Sequence, residues 1–237
     1  MRSRWVYVLL NFVVVLILLI PKASGQSPVI PIQDAHGGAG FLKNLSGYAI
    51  SGTLHRPDGK SLPFTLMVQG ENSRFETSEG VSIFNGDVQQ WRKTGGHRSQ
   101  VRYSRHGAQE IYLSPFYVAA RLDKYQFTGT DKADRFTRKT QYQRFVNHEP
   151  ETPVIDLDFD PETHHLAAIA FYTEERSLAR LTLSFEDYKE YGKVWFPSKV
   201  TQYAGDQLLV TLEILSLDLK PVFSSDTFAI TPSRSLP

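Results

Sequence analysis

Residues 179–186 read Ala-Arg-Leu-Thr-Leu-Ser-Phe-Glu, with Ala179, Leu181, Leu183 and Phe185 on one side and Arg180, Thr182, Ser184 and Glu186 on the other. An apolar side chain at every second position marks a strand that buries one face. The pattern returns in Leu208, Val210, Leu212 and Ile214, set against Thr211 and Glu213. From Val154 to Ile230 such segments follow one another across turn residues. This predicts an antiparallel ladder whose one-sided apolar surface needs a cover.

Upstream the same grammar holds. Tyr48, Ile50 and Leu54 share a face, Pro57-Asp58-Gly59 turns the chain, and Phe64, Leu66 and Val68 bring it back. Phe75 and Val81 to Phe84 continue the meander, and Asn85-Gly86 predicts a hairpin because both residues tolerate positive φ. Trp91 closes that hairpin.

The middle of the chain breaks the alternation. Ser114-Pro115 is an N-cap followed by proline at the first helical position, and Leu113 to Tyr125 predicts a short amphipathic helix carrying Phe116, Ala119, Ala120 and Leu122. Such a helix either packs as fixed core or forms a movable lid. Farther on, Lys132, Arg135, Arg138, Lys139 and Arg144 interleave with Phe136, Tyr142 and Phe145. This suits an edge strand protected from aggregation, or a docking surface.

At the N-terminus, Arg2 and Arg4 precede an apolar run from Trp5 to Ile20, and Ala23-Ser24-Gly25 follows. Residues 1–25 read as a secretory signal peptide cut after Gly25; the alternative is an uncleaved single-span anchor, the run approaching the roughly 17 residues that cross a bilayer. Residues 26–40, rich in Pro and Gly, read as a flexible linker, which leaves 41–237 as a single domain large enough for its own core.

The chain has no Cys, which excludes disulfides, thiolate chemistry and a lipid-modified cysteine after the cleavage site. Removing Arg2, Arg4 and Lys22 from a formal charge of +1 leaves the remainder near −2, a poor match to bulk nucleic-acid binding.

Signals for catalysis and metals are weak. Asp156, Asp158, Asp160 and Glu162 start like a calcium loop, but Pro161 and Ala167 stand where the glycine and the bidentate Glu belong. Alternate acids on the solvent face of a strand account for them. His164 and His165 are adjacent, so in a strand they point to opposite faces, and they read as solvated turn residues. No nucleophile elbow, zinc-protease motif or phosphate-binding glycine loop is present. The expectation is a protein that is not an enzyme and carries no cofactor or metal.

The order of elements, with Leu157-Asp158-Phe159-Asp160, Leu166 to Tyr172, Leu181 to Phe185, Trp195-Phe196-Pro197-Ser198-Lys199-Val200 and Asp226-Thr227-Phe228, resembles the outer-membrane lipoprotein carrier superfamily of LolA and LolB. The resemblance implies a mainly β fold, an unclosed antiparallel β-barrel with short helices as a lid, shielding acyl chains in the periplasm. Tyr48, Ile50, Phe64, Leu66, Val68, Leu181, Leu183, Phe185, Val210 and Leu212 would then line the cavity, and Phe116, Ala119, Ala120 and Leu122 the lid. The implied partners are lipid or lipoprotein acyl chains and inner- or outer-membrane envelope proteins, met by a monomer. Carriers of this family also begin with a substantial helix, where this chain offers only Phe41, Leu42 and Leu45. They carry an Arg-Pro pair in an early strand, where Arg56-Pro57 falls in a turn and Arg74 is the nearest strand arginine. The competing reading is an envelope interaction or stress-sensing module that binds a protein partner without carrying lipid.

Overall fold

The computed structural model describes residues 28–96, 99–103, 109–132, 141–146, 155–172 and 179–230. The segment read as signal peptide or anchor, and most of the basic stretch from Lys132 to Arg144, lie outside them. No helix among the described residues is long and apolar enough to cross a membrane.

Thirteen strands among the described residues form one sheet: β1 (Tyr48–His55), β2 (Ser61–Gln69), β3 (Asn72–Thr77), β4 (Gly80–Asn85), β5 (Val88–Lys93), β6 (Ser99–Tyr103), β7 (Gln126–Lys132), β8 (Gln141–Val146), β9 (Ile155–Phe159), β10 (Leu166–Tyr172), β11 (Ala179–Tyr191), β12 (Val194–Ala204) and β13 (Gln207–Asp218). Their spatial order runs β6 to β1, then β13 back to β7, every pair antiparallel. β6 and β7 are the two edges, so the sheet does not close. This is the unclosed, mainly β architecture expected from the sequence.

The first and last strands in sequence pair at the middle of the sheet, β1 against β13, with Leu54 opposite Leu212 and a bulge between Ser51 and Gly52. Ser51 faces Ser216 while Gly52 faces Ile214, so Leu215 is the extra residue, and it is 64% exposed. Gly52 is required at this bulge: a Cβ there would sit 1.9 Å from the Glu213 carbonyl oxygen.

Register carries the apolar alternation across the sheet. Ile50 pairs Leu66, which pairs Phe75, and on the other half Leu183 pairs Ile169, which pairs Leu157. These side chains form one core with the helical elements. Two helices precede the sheet, α1 (Val29–Ala35) and α2 (Ala39–Asn44). A third group lies between β6 and β7: a 3-10 turn (Gln109–Leu113), α3 (Pro115–Ala119) and a second 3-10 turn (Leu122–Lys124). Because β6 and β7 are opposite edges, this insertion spans the concave side from edge to edge.

α1 corrects the linker reading of 26–40. Its proline, Pro31, sits in the first turn, where no intrahelical N–H is needed, and Ile32 and His36 are fully buried. α2 then contributes Phe41 and Leu42 to the core. The centre of the cover is Phe116, whose ring lies 5.5 Å from Phe41, 5.9 Å from Tyr48 and 5.1 Å from Phe196. Gln33 Nε2 donates to the Ala119 carbonyl at 3.5 Å, a long bond joining α1 to α3.

Candidate functional site

The helices seal one end of the half-barrel, and the other end keeps a cavity. The start of β1, the end of β2 and the start of β12 supply Tyr48, Val68 and Phe196 to the sealed end, buried around Phe116. Toward the opposite strand ends, Leu54, Phe75, Leu113, Leu181, Leu183, Val210 and Leu212 surround a partly open cavity of about 190 Å³, with Glu110 and Gln202 as its polar members. For scale, an apolar cavity of about 150 Å³ accommodates a benzene.

Of the residues expected to line a cavity, Leu181, Leu183, Val210 and Leu212 do so. Tyr48, Ile50, Phe64, Leu66, Val68 and Phe185 are buried in the packed core instead. Phe64 stacks on Phe75 at 5.6 Å and so lies one layer behind the wall. Among the lid residues Phe116, Ala119 and Leu122 are buried, whereas Ala120, at the C-cap of α3, is exposed and belongs to the outer side. Ser114 occupies the N-cap position without a capping side-chain bond.

Leu54 was visible in the sequence as a face-mate of Ile50. Glu110 and Gln202 carried no sequence signal. Glu110 lies in the 3-10 turn that opens the insertion, and its partners come from the β4–β5 hairpin: Gln89 Nε2 reaches both carboxylate oxygens at 3.3 Å and Ser82 Oγ at 3.0 Å. Burial pushes the Glu110 carboxyl up from its ordinary range, and its own backbone N–H and the Ser82 hydroxyl oppose that.

The acids of β9 are not on a solvated face. Asp158 is buried and takes Arg144 Nε at 2.7 Å and Nη2 at 3.0 Å on its two oxygens. Asp160 Oδ1 accepts the backbone N–H groups of Glu162 at 2.8 Å and Thr163 at 3.0 Å, fixing the turn before β10. Both carboxylates are thus committed to the fold, and no cluster of three or more metal-binding side chains occurs among the described residues. His165 is likewise not a solvated turn residue. Its ring stacks on Tyr188 at 4.1 Å and lies 5.9 Å from the buried His36 of the α1 C-terminus.

Neither candidate arginine reaches the lid. Arg56, in the β1–β2 turn, forks onto Glu79. Arg74 pairs with Glu76 and donates to the Thr227 carbonyl at 3.0 Å, holding the 221–230 segment against β3. Beside it a polar groove of about 450 Å³ is bordered by Arg92, Lys93 and Gly95.

No protein-family model and no curated protein matches this chain. Solved structures do. A LolA superfamily protein from Nitrosomonas europaea superposes with a TM-score of 0.56 at 11% identity, covering 85% of this chain and 96% of that one. A putative outer membrane lipoprotein-sorting protein domain from Vibrio parahaemolyticus gives 0.54 at 12% identity, with 84% and 95% covered. A DUF1329 family protein from Desulfovibrio piger gives 0.53 at 10% identity, with 86% and 98% covered. At these identities the likeness is one of fold: the chain has the LolA-like half-barrel.

Proposed function

We propose that this protein is a periplasmic carrier or chaperone that shields the acyl chain of a lipid or lipoprotein against the concave face of its half-barrel. The observation that carries the reading is the partly open apolar cavity beneath the insertion, in a fold shared with a lipoprotein-sorting domain. The chemistry asked of the site is burial, and no catalytic step is proposed.

Magnitudes decide how the cavity would work. Micromolar affinity needs roughly 8 kcal/mol, which at about 0.8 kcal/mol per methylene means on the order of ten methylenes removed from water. A space of about 190 Å³ takes only a short part of such a chain. The closed form therefore holds a chain end, and a full acyl chain enters only when Phe116 leaves its nest between Phe41, Tyr48 and Phe196. The cover is held by packing, by the long Gln33–Ala119 bond, by the Gln89–Glu110 contacts and by a 3.8 Å pairing of Arg121 with Glu71, so opening it exchanges a few polar contacts and no strand pairing.

The protein-binding alternative has less to rest on. Of its basic stretch, Arg144 is occupied by Asp158, although Trp91 does stand 44% exposed on β5. Native mass spectrometry of the protein purified from a periplasmic extract tests the proposal. A bound lipid mass, lost on Val210→Phe, supports it; repeated absence of lipid, together with failure to displace a fluorescent acyl probe, overturns it.

A further inference from the structure

We propose that the cavity selects single-chain amphiphiles bearing a protonated amine close to the tail, with the Glu110 carboxylate as acceptor for the ammonium. This rests on the reading that the cavity takes apolar tails, and it adds the chemistry of the head.

A solid core has no use for a carboxylate at this position. Glu110 faces a space walled by Leu54, Phe75, Leu113, Leu181, Leu183, Val210 and Leu212. Its contacts are neutral: Gln89 Nε2 at 3.3 Å to both oxygens, Ser82, and its own backbone N–H. No Lys, Arg or His pairs with it among the described residues, unlike Asp158, which has Arg144, or Glu186, which has Lys199 at 2.9 Å.

Placing a carboxylate against hydrocarbon without a cation costs several kcal/mol, and that cost is recovered when the charge is paired and hydrogen-bonded. The donors now on the carboxylate are all uncharged, so an ammonium that takes the place of one of them exchanges a neutral hydrogen bond for a charge-assisted one. An occupant with a tail for the leucines and an N⁺–H for the carboxylate completes the site. Gln202, the other polar wall residue, can accept a further N–H through its amide oxygen. A carboxylate or sulfate head would face like-charge repulsion at the same place.

The test compares dodecylamine, dodecanol and dodecanoate below their aggregation thresholds, by displacement of a fluorescent acyl probe at pH 7. Charge-assisted hydrogen bonding predicts that the amine binds about tenfold or more tighter than the alcohol, and the carboxylate weakest. Glu110→Gln should bring the amine-to-alcohol ratio to about one while leaving the alcohol within roughly threefold of the parent. In the unaltered protein the same ratio should fall as pH is lowered toward protonation of Glu110, a readout that does not depend on the variant folding. Equal binding of amine and alcohol, or a ratio insensitive to both Glu110→Gln and pH, overturns the head assignment while the carrier reading stands. Failure of all three probes to bind, unaltered by Val210→Phe, overturns the carrier reading itself.

Discussion

Two residues show how closely the backbone is specified. Gly52 has no room for even a methyl group, since the nearest obstacle is the Glu213 main-chain carbonyl and not a movable side chain. Gly52→Ala must therefore open the β1–β13 seam, and we expect a loss of about 3 kcal/mol in a urea titration; an unchanged midpoint would show that the seam yields freely. Asp160 is the second. Its Oδ1 satisfies two turn N–H groups, so Asp160→Ala should cost about 1–2 kcal/mol. With Asp158 paired to Arg144 and Asp160 used by the turn, added calcium should not move the melting temperature, and a clear calcium-dependent rise would contradict that assignment of the acids.

At the level of elements, α1 carries a built-in acid sensitivity. His36 is fully buried, its Nδ1–H donates to the Ile32 carbonyl at 2.8 Å, and its Nε2 has no hydrogen-bond partner among the described residues. Burial lowers its pKa from 6.5 to about 4, with the neighbouring His165 acting in the same direction. The groups facing it across the lid contact are His165, itself lowered by burial and raised in part by Asp160, and Tyr188, whose hydroxyl is tied to the Leu166 carbonyl at 2.8 Å and does not ionise in this range. Since the folded pKa lies below the unfolded one, His36 costs nothing above pH 6.5. Between 6.5 and 4 the unfolded chain takes up the proton first, and stability falls by roughly 3 kcal/mol across that window. The difference in urea midpoint between the parent and His36→Gln should shift against the parent as pH drops from 7 to 4.5; parallel pH profiles would exclude His36 as the source. This element was hidden in the sequence because seven residues with two flanking glycines and a proline show too little periodicity, and His36 finds its ring partners far along the chain, at Phe159 on β9, His165 in the β9–β10 turn and Tyr188 on β11. The strands, by contrast, were legible wherever one face alone is buried, as at Leu181, Leu183 and Phe185, and the Asn85-Gly86 and Pro57-Asp58-Gly59 turns announced themselves by local backbone preference. Glu110 was not legible, since its meaning comes from Gln89 and Ser82 on a different hairpin.

For the whole molecule, the topology keeps the helical insertion outside the strand ladder. The insertion between β6 and β7 joins the two free edges of the sheet, so moving it does not break any ladder among the described strands. The two halves of the ladder are joined at its middle by β1 and β13, far apart in sequence, in a pairing that the insertion does not enter. If the closed cavity holds only a chain end, capture of a full acyl chain waits for α1 and α3 to part. In stopped-flow mixing with a long-chain fluorescent acyl probe, the observed rate should then rise with probe concentration and reach a plateau equal to the lid-opening rate. Ile32 of α1 is fully buried in the core, so the same parting would expose it. Ile32→Ala removes about 2–5 kcal/mol of packing and should raise the plateau while leaving the steep dependence of affinity on tail length, about fourfold per methylene, intact. A rate that stays linear in probe and is indifferent to Ile32→Ala would mean that the tail reaches its site without the helices moving. Burial of a full chain would then need a surface other than the one beneath Phe116.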